Sequence, residues 1–148
     1  MTTVSEQIPE GYARHFRQSP LTDPWEPLYS KAVEGAIVIG LRVRREHCNG
    51  RGFVHGGLIS ALADNAMGLS VIRTIEQQNG QRRRNGVTVS LNLDFLGTAQ
   101  IDQWLEFVPR VLRVGTSFGF VDCLIRADDN IIARGNATFR IYLAEETR

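Results

Sequence analysis

The sequence predicts an α+β fold in which an antiparallel sheet wraps around one long central helix. Two observations predict it. A continuous apolar, alanine-rich segment without proline runs from Gly57 to about Glu76, too long for a strand. After it come segments that alternate apolar and polar residues, joined by short Gly, Asp and Asn turns that make neighbouring strands antiparallel. A helix that is apolar nearly all round until Arg73 must be buried, and a sheet curved over it is the natural cover.

The elements follow in order. Residues 4–18 are predicted as a short helix, with Ser5 as N-cap and Pro9 in the first turn. Three of the five prolines then fall between Ser19 and Pro27, which predicts extended loop. Residues 1–28 are thus expected as a helical and loop extension, and residues 29–148 as the main domain. Residues 29–47 read as two strands broken near Glu34-Gly35, the second being the Ile- and Val-rich run from Ala36 to Arg45. Gln77 to Gly80 ends the central helix. Val87, Val89, Leu91, Leu93 and Phe95 then alternate with Thr88, Ser90, Asn92 and Asp94. Residues 102–114 form the next strand, where Pro109 implies a bulge or an edge. Gly115-Thr116-Ser117 turns into a strand ending at Ala127, and Asp128-Asp129-Asn130 into the last one. In that last strand Ile131, Ala133, Gly135, Ala137, Phe139 and Ile141 are expected on one face. Their small members would let helix and sheet approach closely.

Composition narrows the function. The 148 residues carry 17 Lys and Arg against 16 Asp and Glu, a net charge of +1. Nucleic-acid binding wants a strongly basic face, so it is not expected. No apolar run approaches the roughly 20 residues that span a bilayer, and the first residues lack a signal peptide's charged and apolar regions. A soluble, cytoplasmic, single-domain protein without membrane contact is expected. Cys48 and Cys123 have no metal-ligand spacing and form no disulfide framework; no metal is expected. Cys48 lacks an adjacent base to make it a nucleophile, and Cys123 reads as a small core residue.

One segment carries chemistry. Asn49-Gly50-Arg51-Gly52-Phe53-Val54-His55-Gly56-Gly57 leads straight into the central helix. The Gly56 and Gly57 amides belong to the unpaired N–H groups at a helix start, at the positive end of its dipole, which suits a developing oxyanion. Asn49 offers a neutral donor and His55 flanks the position. Asp64 is the only carboxylate on the apolar stretch of the helix, costly to bury without a partner or a task. Each residue also has a structural use: His55 as a loop histidine, Asn49 as a turn cap, Asp64 as an interface hydrogen-bond partner. Thr88 falls by alternation on a polar face with Ser90, Asn92 and Asp94.

Asn49 six residues before His55-Gly56-Gly57, and Asp64 nine after His55, resemble the signature of the hotdog-fold acyl-CoA thioesterases. The similarity is to the phenylacetate-pathway and thioesterase-superfamily-member type, and it covers about residues 29–143. It implies hydrolysis of an acyl-CoA thioester, with Gly56 N–H and Asn49 polarising the carbonyl. Asp64 would act as general base or nucleophile, with Thr88 helping to position water. His55 would hold the loop or touch the thioester. Coenzyme A would be part of the substrate, not a retained cofactor. Relatives often carry Arg or Lys after the Gly of the hairpin between the second and third strands that follow the helix, as a coenzyme A phosphate contact. This chain has Gly115-Thr116-Ser117 there, and Arg82, Arg83 and Arg84 are the candidate replacements. The alternatives are a hotdog enoyl-CoA hydratase or dehydratase and a non-catalytic acyl-CoA-binding protein. Trp25, Phe53, Met67 and Phe95 are candidates for either pocket lining or core.

The helix also bears on assembly. Nine residues span about 13.5 Å and about 900° of rotation, so His55 and Asp64 point to opposite sides. A homo-oligomer, dimer or dimer of dimers, is expected, with Asn49, His55 and Gly56 of one chain meeting Asp64 of another.

Overall fold

The computed structural model describes residues 7–78, 80 and 84–143. Seven strands form one antiparallel sheet: β1 (Ala13–Arg14), β2 (Tyr29–Val33), β3 (Ala36–Arg42), β4 (Arg84–Phe95), β5 (Trp104–Val114), β6 (Phe118–Ala127) and β7 (Asn130–Leu143). Their order is β1-β2-β3-β5-β6-β7-β4, so the first strand after the helix crosses to the far edge. The helix α1 (Gly56–Gln78) lies against one face and contacts β3, β4, β5, β6 and β7.

Close packing explains the small residues. Ala63 and Ala66 of α1 and Ala133 and Ala137 of β7 are all buried in the one core. At Gly119 of β6 an added Cβ would come within 2.5 Å of Val71, so only glycine lets strand and helix approach this closely. Ser70 is wholly buried; it accepts from Ile37 N–H at 2.9 Å and donates to Ala66 C=O at 2.7 Å, tying β3 to the helix. By length and composition α1 is long and apolar enough to cross a membrane, which corrects the expectation that no segment is. It is seated instead against the sheet, with Leu62, Ala63, Ala66, Met67 and Val71 fully covered.

The helix expected over 4–18 is not found in its described part. Residues 7–18 contain a turn at Glu10 and Gly11 and no helix, and Ala13–Arg14 pair with Tyr29–Ser30 as the edge strand β1. Edge pairing to β2 outweighs a weak local propensity there. In the following loop, a 3₁₀ turn at Asp23–Trp25 packs near a second at Arg45–His47. Arg44 links the two by donating to the carbonyls of Pro24 and Glu26.

Three bulges re-phase the strands. Ile125 pairs with Ala133 but Arg126 with Ile131, so the extra residue Ile132 turns inward and Ile131 outward, at 47% exposure. This corrects the placement of Ile131 on the core face. In β5 the irregularity lies between Val111 and Arg113, not at Pro109. The ladder with β3 ends at Phe107, so Pro109 sits where β5 has no neighbour on that side. The third bulge, in β4 between Thr88 and Ser90, shapes the site.

Candidate active site

The glycine-rich loop is a stitched turn. Asn49 and Phe53 bond across it, Asn49 N–H to Phe53 C=O at 2.7 Å, and Gly52 takes the left-handed φ of 83° that lets it close. Cys48 bridges to Val54 and Phe53 to Gln100, which fixes the loop to the body of the sheet. Asn49 Oδ1 accepts from the amides of Arg51 and Phe53, at 2.9 and 3.2 Å. Those two donors orient the amide group, and its Nδ2 has no hydrogen-bond partner among the described residues. The turn-cap and donor readings of Asn49 are therefore compatible: one end holds the turn, the other is offered outward.

His55 is the residue before α1. Its carbonyl accepts from Ile59, and its Nδ1 accepts from Gly57 N–H at 2.8 Å. The ring is thus an N-cap, satisfying one of the orphan amides of the first turn. This separates the two glycines that the sequence groups together. Gly57 N–H is occupied; Gly56 N–H has no acceptor among the described residues. Gly56 remains the open donor at the positive end of a 23-residue helix.

Two turns along, half-buried Asp64 receives the Thr88 hydroxyl on Oδ1 at 2.6 Å. Its other carboxylate oxygen has no partner among the described residues. The β4 bulge makes this contact possible. Thr88 pairs with Phe139 and Leu91 with Ala137, both on the core face of β7, while Ser90 pairs with half-exposed Thr138. Val89 is the extra residue. Thr88 consequently faces the helix with Leu91 and Leu93, and does not share a face with Ser90, Asn92 and Asp94. This corrects the polar-face placement of Thr88.

Two clefts take some of the site residues, and Asn49 and Gly56 line neither. Asp64, Thr88 and Arg84 line one cleft of about 500 Å³, with Gly68, Ile72 and Phe139 in its wall. His55 and Gly57 line another, of about 520 Å³, with Trp25, Cys48 and Leu58. Arg82 and Arg83 lie outside the described residues. Sequence reasoning missed two more residues of the Asp64 cleft, His15 and Arg17. Their signal is the spacing of two, which puts both on one side of an extended chain but not of a helix. Of the aromatic and sulfur candidates, Met67 is wholly core, Trp25 lines the second cleft, and the Phe95 ring lies 3.3 Å from where a Gly56 Cβ would be.

The surroundings of both cysteines work against the thiolate. Burial pushes the Cys48 thiol up, with the Glu46 charge adding to it, and burial takes Cys123 up to about 12. Nothing around either sulfur favours the thiolate that nucleophilic chemistry needs.

Comparison with known proteins identifies the family and the fold. The family model described as "Thioesterase superfamily" matches residues 51–133, more than half the chain. A Pseudomonas aeruginosa protein, whose esterase name is itself an assignment, is 33% identical over 135 residues, 90% of this chain and 97% of its own length. Human acyl-coenzyme A thioesterase 13 is 29% identical over 109 residues, 72% of this chain and 74% of its own. The phenylacetic acid degradation protein PaaI of Thermus thermophilus, solved as a point mutant, superposes with a TM-score of 0.69 at 19% identity. That match covers 82% of this chain and 98% of the other and speaks for the fold. With a family model over more than half its length and a relative matched almost end to end, this hotdog-fold chain belongs to the thioesterase superfamily.

Proposed function

We propose that the chain hydrolyses an acyl-CoA thioester to the free acid and coenzyme A, with Asp64 activating water. Membership of the superfamily makes it a thioester hydrolase; the acyl-CoA substrate and the residue roles are the finer reading. One observation carries it: Asp64 has one oxygen held by Thr88 and the other open beside a cleft. The open oxygen takes the proton of a water, and the hydroxide equivalent adds to the thioester carbonyl. Gly56 N–H and Asn49 Nδ2, each without an acceptor among the described residues, receive the oxyanion. Collapse breaks the C–S bond, the proton passes from Asp64 to the departing thiolate, and acid and thiol leave.

In this reading the site is shared between two copies. Within one chain Asp64 and Thr88 line a cleft to which neither Asn49 nor Gly56 belongs. The edge strand β4 supports the same reading: it is 12 residues long, open on one side, and exposes Val89, Leu91 and Phe95. A long apolar edge of this kind is a template on which a second copy can pair.

The test is thiol release from a panel of aryl-, short- and long-chain acyl-CoAs by the parent and by Asp64→Asn. The variant keeps the shape and loses the base, so kcat should fall by about 10²-fold or more with an unchanged fold. Activity within a few-fold of the parent sinks the role of Asp64. Hydration of an enoyl-CoA without thiol release points instead to the hydratase chemistry.

A further inference from the structure

Three consecutive backbone carbonyls of the N-terminal extension, those of Pro24, Trp25 and Glu26, accept hydrogen bonds from one short stretch of the chain. Arg44 donates from Nη2 to Pro24 C=O at 3.1 Å and to Glu26 C=O. Buried His47 donates from Nε2 to Trp25 C=O at 2.9 Å. A surface loop ordinarily leaves such carbonyls to water; this one is clamped. The clamp reaches the site in one more step. His47 C=O accepts the His55 N–H at 3.0 Å, and Gly56, with its open N–H, is the next residue. Trp25 and the residue before the oxyanion donor are thus both bonded to His47.

Between the clamped segment and the helix start lies the cleft of about 520 Å³, the size of a small-molecule site. Its apolar walls come from opposite sides, Leu21 and Trp25 from the extension, Leu58 and Ala61 from α1. Its polar groups are already engaged. His47 uses both ring nitrogens, and Glu46 is paired with Arg44 at 2.7 Å. The Cys48 thiol donates to Arg44 C=O at 3.6 Å, and His55 Nδ1 holds Gly57 N–H. The Glu46 carboxylate, more than half exposed, also repels a negative group there. We propose that Arg44 and His47 are positioning residues: they hold segment 24–26 against the helix start, so that an uncharged, apolar acyl group packs between Trp25 and Ala61 with its carbonyl at Gly56 N–H. The proposal rests on the hydrolysis reading and names the acyl class that this site takes. A loosened wall costs a large acyl group its contacts and a small one little, so the effect of the clamp grows with acyl size.

The experiment measures kcat and KM for the acetyl, hexanoyl and adipoyl thioesters of coenzyme A, and reads the hexanoyl-to-acetyl ratio of kcat/KM within each protein. The parent should favour hexanoyl over both acetyl and adipoyl by about tenfold or more. Arg44→Gln takes the guanidinium away and should cut the ratio by about tenfold, mostly through the KM for hexanoyl. Arg44→Lys keeps the charge but lacks the planar fork that serves two carbonyls and Glu46 at once, and should cut it by about threefold. Ala61→Leu fills the gap from the helix side without touching the clamp, and should cut it by about tenfold. A merely structural role lowers both thioesters alike and leaves the ratio where it was. A ratio within about 1.5-fold of the parent's in any folded one of the three variants overturns the proposal. An adipoyl thioester cleaved as well as the hexanoyl one overturns it too. Should the parent cleave none of them, the hydrolysis reading is the one that fails. Calorimetric titration with S-hexyl and S-methyl coenzyme A then decides the gap: tighter S-hexyl binding by the parent, erased in Ala61→Leu, upholds it, and equal affinities overturn it.

Discussion

The three histidines differ in what their ring nitrogens meet, and that decides what each one does. His55 is exposed and spends Nδ1 on Gly57 N–H, so it shapes the helix start. His15 is buried with an unpartnered nitrogen, as a site group is. His47 is 1% exposed and uses both nitrogens: Nδ1 accepts from Arg44 N–H at 3.0 Å, and Nε2–H donates to Trp25 C=O at 2.9 Å. It joins the loop before β2 to the loop before the glycine-rich turn. Burial holds its pKa below 6.5, although the bond to Trp25 opposes this. The unfolded chain therefore binds more protons than the folded one below about pH 6.5. Stability from this group is complete above that pH and is lost as pH falls toward the depressed folded value. His15 shifts in the same direction. The urea midpoint should thus be flat near pH 7.5 and decline as the pH falls below about 6.5. His47→Asn should lower the plateau by about 1–3 kcal/mol, through the partners left unpaired, and make the decline shallower. An unchanged midpoint across this range, or an equally steep decline in the variant, contradicts the assignment.

At the scale of elements, the β4 bulge makes two hydroxyl residues that look equivalent in the sequence unequal. Thr88 and Ser90 would share a face in an unbroken strand; with Val89 inserted, only Thr88 reaches Asp64. Thr88→Ala should therefore lower kcat by about tenfold, Thr88→Ser should restore most of it, and Ser90→Ala should leave it unchanged. Equal losses from Thr88→Ala and Ser90→Ala would falsify the phase shift. The same physics marks what was legible beforehand. Helix α1 was readable because its length, alanine content and lack of proline act locally. The strands were readable from their period of two, but their bulges were not. A bulge is chosen by pairing with another strand, so Val89 and Ile132 carry no signature of their own. The extension failed for a related reason. Its residues 13–14 are ordered by β2, fifteen or more residues away in the chain, and misreading them as helix hid His15 and Arg17. Within the site, the loop and Asp64 could be named from spacing, whereas which of two adjacent glycine amides stays open depended on the rotamer of His55.

For the whole molecule, the sheet leaves its most apolar edge at β4, next to the strand residue that holds Asp64. A second copy placed there by a two-fold axis would cover both β4 edges at once and bring the open donors of each chain toward the carboxylate of the other. Complementation tests this directly. In the proposed reading Asn49→Ala loses an oxyanion donor, Asp64→Asn loses the base, and each homodimer would carry two damaged sites. Unfolded together and refolded as an equal mixture, about half of the dimers are mixed. In a mixed dimer with shared sites, both lesions fall in one site and the other is intact. About a quarter of all sites should then be wild type, and activity should return to about that fraction of the parent's. If each site lies within one chain, every site keeps a lesion and the mixture stays as inactive as its parts. Separate affinity tags on the two variants report whether mixed dimers have formed. No gain in activity from a tag-purified mixed dimer would mean that the donors and the base of each site come from the same chain.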